Sequence, residues 1–87
     1  MVITHVPTNK KLNDCKQTLA TSHQLIKYFE TESKKYQKTN EKERSHALEV
    51  EALKERNRKA GFMYAAFLLL SKKDFNTLES YNKKLEG

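Results

Sequence analysis

An 87-residue chain has room for one domain at most. With 37% hydrophobic residues and no Trp, it can build only a small core, so its stability alone is expected to be marginal. Seventeen Lys and Arg against eleven Asp and Glu give a net charge of +6, which favours acidic partners: nucleic acid, an anionic membrane face or an acidic protein.

The excess is spread along the chain. Residues 1–45 carry nine bases and five acids, and residues 46–87 carry eight and six, which argues against a dedicated nucleic-acid-binding tail. A single cysteine, Cys15, excludes an intrachain disulfide and points to a reducing compartment. The opening residues Met1 to Pro7 have neither the basic head nor the apolar length of a secretory leader. The longest apolar run is about half of the ~20 residues a membrane span needs. These features lead us to expect a soluble, cytoplasmic protein.

Residues 1–8 read as an extended lead-in, because Pro7 disfavours helix just before it. Thr8 or Asn9 can cap the helix that follows, and Asp14 with Gln17 is a second candidate capping pair. From about residue 9 to 37, Leu12, Cys15, Leu19, Ser22, Ile26, Phe29, Ser33 and Tyr36 alternate spacings of three and four. That period places them on one seam of a helix, widened in the middle by Leu25 and Tyr28. Ser22 and Ser33 let a neighbouring helix approach closely but reduce the apolar burial that holds it.

Residues 37–46 contain no apolar side chain. Thr39 or Asn40 can cap a new helix here, with Glu43 three places after Asn40 completing a capping box. With no Gly or Pro to force a turn, a single continuous rod is equally compatible, and both alternatives stay open. Ala47, Val50, Leu53, Asn57 and Ala60 then resume a helical stripe leading into Ala60–Leu70, the one stretch that is apolar all round. Gly61 reads as internal to this helix, where it costs about 1 kcal/mol against Ala. Ser71 and Asp74 mark a stop and restart. Phe75, Leu78, Tyr81 and Leu85 form one face of a last helix over about 72–85.

The fold predicted is therefore all-α. It is a small helical hairpin or bundle with a long, partly coiled-coil segment and a short C-terminal helix, with residues 9–87 as one domain. β-branched residues are scarce after Val6, and no window shows the strict alternation of a half-buried strand.

Chemistry-bearing residues are sparse. His5, His23 and His46 share no helical face, and Cys15 is remote from any two of them, whereas zinc sites use paired, closely spaced ligands. Glu43 and His46 make one Glu-x-x-His, half of what a carboxylate-bridged di-metal bundle requires, and they sit in the most polar part of the chain. Cys15 reads as a small seam hydrophobe. No metal, cofactor or catalytic set is expected, and hence no enzyme.

Two functional expectations follow. The first is a small adaptor or regulatory protein that binds another protein and itself through helices. Its interface is Phe62, Met63, Tyr64, Phe67, Leu69 and Leu70, because helices one and three offer too few large side chains to cover that run. The alternative is a basic accessory protein contacting nucleic-acid phosphates through Lys34, Lys35, Lys38, Arg56, Arg58 and Lys59. Against it stand Glu30–Lys34, Glu55–Lys59 and Glu79–Lys83, spaced as ion pairs on single helix faces with the acid N-terminal.

Overall fold

The computed structural model describes residues 8–87 and contains three helices: α1 (Thr8–Lys38), α2 (Lys42–Leu69) and α3 (Lys72–Glu86). Among the described residues there is no strand, and no helix is long and apolar enough to cross a membrane. The fold is the expected all-α hairpin closed by a short third helix. The lead-in assigned to residues 1–8 falls outside the described residues, apart from Thr8, which opens α1. Asp14 and Gln17 lie inside α1, so that capping pair marks no helix start.

The chain reverses at residues 39–41, which settles the open choice in favour of a hairpin. Asn40 does not cap α2 in the expected way. It adopts φ 67°, the left-handed conformation that ends α1. The Asn40 N–H donates to the Gln37 carbonyl at 3.3 Å and the Glu41 N–H to the Tyr36 carbonyl at 2.9 Å. These are the two bonds of a Schellman ending, in which Asn stands where Gly is commoner. Glu41 occupies the N-cap position of α2 and makes no side-chain capping bond. The Thr39 hydroxyl instead donates within the turn, to the Tyr36 carbonyl at 3.1 Å and toward a Glu41 carboxylate oxygen at 2.9 Å. A turn without Gly or Pro thus forms because Asn tolerates left-handed backbone.

Along the hairpin, the eight seam residues of α1 face α2 or α3. Leu12, Leu19, Ser22, Ile26 and Ser33 are buried, and Cys15, Phe29 and Tyr36 are half-buried. The answering face of α2 is Ser45, Ala52, Glu55, Lys59 and Ala66. The stripe Ala47, Val50, Leu53, Asn57 and Ala60 therefore lies outside the buried face: Val50 is half-buried, and Leu53, 58% exposed, stands at the rim of an open groove it shares with Ser33, Lys34 and Gln37 of α1. Close contact near the turn is made by serines. The Ser33 hydroxyl donates to the Ser45 carbonyl at 3.0 Å, with the two hydroxyl oxygens 3.0 Å apart.

The apolar core gathers at the opposite end of the hairpin. Leu12, Leu19, Ala66 and Leu78 are buried, and Cys15, Phe62, Met63, Leu70, Phe75, Tyr81 and Leu85 pack around them. The turn into α3 is capped as predicted: the Ser71 hydroxyl accepts from the Asp74 N–H at 3.1 Å. Asp74 Oδ2 is buried without a hydrogen-bond partner, so that oxygen does not complete a reciprocal box. α3 runs back along the hairpin. Phe67 meets Phe75 edge-on at 5.3 Å near the turn, and Lys59 meets Glu86 at 3.1 Å at the far end. Lys16 Nζ lies 5.6 Å from the Tyr81 ring centroid, joining α3 to α1.

Two measurements check this account. Asn40→Val is expected to destabilise the fold by about 1–2 kcal/mol in urea titration, because a β-branched residue resists left-handed backbone, whereas Asn40→Gly should leave it within about 0.5 kcal/mol. The Lys59 side chain is 8% exposed and Glu86 is 53% exposed. Glu86→Gln leaves a buried ammonium without its counter-charge and should cost about 1–2 kcal/mol, while Lys59→Met should be neutral or stabilising. Equal losses from both variants would contradict the burial argument.

Candidate interaction surface

α2 carries apolar residues on two faces, so it shows almost no amphipathic asymmetry. Its inward face meets α1 and α3. Roughly opposite lies a second line, Val50, Leu53, Asn57, Ala60, Tyr64 and Phe67, spaced three, four, three, four and three. Tyr64 is 66% exposed, Phe67 59% and Leu68, beside them, 63%. Together these side chains form a contiguous exposed apolar patch on the protein surface.

The six interface residues expected from the sequence divide between these environments. Phe62, Met63 and Leu70 turn inward and pack on the core cluster. Tyr64 and Phe67 belong to the outward line, and Leu69, 82% exposed, leaves the helix on a different flank. Leu53 and Leu68 were missed as surface residues, and Val50, on the same line, is half-buried. The signal was their continuous three-four spacing with Tyr64 and Phe67, obscured because the apolar run after residue 60 has no polar face to orient it.

The basic residues are also redistributed. Arg56 pairs with Glu30 across the hairpin, Arg58 with Glu55 at 3.3 Å, and Lys59 with Glu86. Lys34, Lys35 and Lys38 are exposed near the end of α1, where Lys35 lies 3.9 Å from Glu32. The pairs Glu30–Lys34, Glu55–Lys59 and Glu79–Lys83 are not among the ion pairs of the described residues. Glu30 and Lys59 reach other helices instead, and Glu55 takes a different partner on α2. The structure thus pairs four of the six cations proposed for phosphate contact with its own carboxylates, Lys35 at the longest distance.

The remaining chemistry is structural. The Ser22 hydroxyl donates to buried Glu55 Oε2 at 2.6 Å. Beside them an open groove of about 620 Å³ between α1 and α2 is lined by Thr18, Leu25, Arg58 and Phe62. Burial first, and the neighbouring Asp14 charge second, push the Cys15 thiol up, so it stays protonated at neutral pH. His23 is half-buried and His46 exposed, while His5 lies outside the described residues. Among the described residues no three His, Cys, Asp or Glu side chains converge on a metal position.

Comparison with protein-family models, curated proteins and solved structures finds no match to this chain.

The Glu30–Arg56 pair gives a pH test. The Arg56 hydrogen bond holds the Glu30 carboxyl below its ordinary value, against an opposing effect of burial, and the charges of Arg56, Lys27 and Lys34 add to the lowering. A depressed carboxylate stabilises the fold fully above its unfolded-state value and loses that contribution as pH falls through the lower folded-state value. Arg56→Met should therefore flatten the acid limb of a stability-against-pH curve. At neutral pH the loss should stay under about 1 kcal/mol, because both side chains are partly in solvent.

Proposed function

We propose that this protein is a small non-enzymatic adaptor or regulator that acts by burying the outward face of α2 against a helix of another protein, and that it self-associates. The observation that carries this reading is the row of large apolar side chains, Leu53, Tyr64, Phe67 and Leu68, each more than half exposed on one helix face. Full burial of such a side chain is worth about 1.5–3 kcal/mol, which this chain leaves unrealised. Aromatic anchors within such a row are the usual energetic centre of an interface.

Other features support the same reading. The interior charges are engaged in structural pairs: Glu55 with Ser22 and Arg58, Lys59 with Glu86. That favours a binding protein over a catalyst. The same pairs weigh against nucleic-acid binding, because Arg56, Arg58 and Lys59 each already face a carboxylate. A protonated, half-buried lone thiol suits the reducing cytoplasm.

The test is a pair of surface variants. Phe67→Asp should abolish association with partner or self while the far-ultraviolet dichroism stays helical. Leu53→Asp, remote from α3, should do the same without touching the Phe67–Phe75 contact. If both variants fold and associate like the unmodified protein, the outward face of α2 is not the interface.

A further inference from the structure

Resting on that reading, the geometry points to a specific occupant. The outward face of α2 takes the same face of a second copy of this chain, as a parallel, in-register two-stranded coiled coil centred on Asn57.

The heptad on this face starts with Val50 and Leu53, continues through Asn57 and Ala60, and ends with Tyr64 and Phe67. Val50, Asn57 and Tyr64 hold one core position (a), and Leu53, Ala60 and Phe67 hold the other (d). A β-branched residue at a followed by Leu at d favours two parallel strands, and one Asn at a fixes register and oligomeric state. In a parallel pair Asn57 meets Asn57 of the second copy, so each amide has a donor and an acceptor opposite it. In an antiparallel pair the same position faces Ala60, and a desolvated amide stands against a methyl group.

Charge selects the same arrangement. Glu49 and Lys54, both exposed, flank the seam on opposite sides; within the chain Glu49 accepts from Gln37 Nε2 at 3.1 Å and Lys54 lies 3.4 Å from Glu51, so a pair between copies forms by exchange of these exposed surface contacts. Parallel strands in register place Glu49 of each copy against Lys54 of the other, two attractive pairs related by the two-fold axis. Antiparallel strands instead set Lys54 against Gly61 and Arg56 against Met63, with no pair formed. Gly61 lies beside the seam, and a Cβ built there meets no atom within 4 Å, so nothing within this chain requires the missing side chain. A closely approaching second helix would.

The area is of the right order. Taking ~200 Å² for a large apolar side chain fully in water, Leu53, Tyr64, Phe67 and Leu68 present on the order of 500 Å² of apolar surface. Val50, Ala60 and the aliphatic stems of Lys54 and Arg56 extend this toward the ~800 Å² each partner contributes to a standard interface.

The experiment combines sedimentation with thiol cross-linking. The unmodified protein is sedimented from about 1 to 100 µM, the range in which an interface of this size dissociates if weak, and a concentration-dependent dimer is expected. Val50→Cys and Ala60→Cys, which leave Asn57 in place, are then made separately on Cys15→Ser. Each alone should oxidise to a covalent dimer, because parallel register sets like positions together. Lys54→Glu, at an exposed rim position, should raise the dimer dissociation constant about tenfold by turning both charge pairs repulsive.

A dimer in sedimentation that neither cysteine variant cross-links would show that the strands are not parallel and in register, and would overturn the proposal. So would an assembly larger than a dimer, or an unchanged dissociation constant for Lys54→Glu. Monomeric sedimentation across the range would overturn the second copy as occupant, and with it the self-association proposed above. If that monomer still retained lysate proteins that Phe67→Asp loses, helix binding through α2 would stand with a different partner. If it retained none, both readings would fall together.

Discussion

The contact between α1 and α2 is built from small and polar side chains, and that constrains everything else. Ser22, Ser33, Ser45, Ala52, Glu55 and Lys59 occupy positions where a self-sufficient hairpin would place Leu or Ile. Two helices can approach closely over such residues, but the apolar area removed from water is small. The polar groups must then find partners within the interface, and several do: Ser22 with Glu55, Ser33 with Ser45, Lys59 with Glu86. Such pairs add little net stability once desolvation is counted. They do tie α1, α2 and α3 into one relative register, since each joins two different helices.

A third helix is the consequence. The large apolar side chains of α1 and α2 are collected at the end away from the hairpin turn, and α3 supplies Phe75, Leu78, Tyr81 and Leu85 to close that end. The resulting body measures 64 × 22 × 19 Å. It is a rod with an apolar plug at one end and a hydrogen-bonded polar seam along the rest.

The second consequence concerns the outward side of α2. Its inward face is given over largely to Ser45, Ala52, Glu55 and Lys59, with half-buried Leu48 sharing their spacing, while half-buried Val50 and exposed Leu53 lie outside it. They continue into Tyr64 and Phe67 as one line. α2 thus buries two charged side chains, Glu55 and Lys59, and leaves Tyr64 and Phe67 largely in solvent, a partial departure from the apolar-in, polar-out pattern of a surface helix. The exposed apolar line and the polar interior are therefore two aspects of one sequence pattern on α2.

The heptad of α1, the Ser71 start of α3, the helical path through Gly61 and the all-α class follow from local chemistry: three-four spacing, a hydroxyl able to accept an N–H, and few breakers. These were legible in the residues because each depends on neighbours within one or two turns. The stripe from Ala47 to Ala60 was legible as a stripe, and its exposure was not. Periodicity establishes that residues share a face, and it is silent on whether another helix of the same chain covers that face. Which of the two faces of α2 turned inward, which carboxylate each cation chose, and how the six residues from Phe62 to Leu70 divided between core and surface were decided by how α1 and α3 dock. These outcomes depend on close approach over serine and alanine, on the left-handed turn at Asn40, and on charges brought together from positions some 26 to 33 residues apart. No pattern within a single helix encodes a distance of that kind.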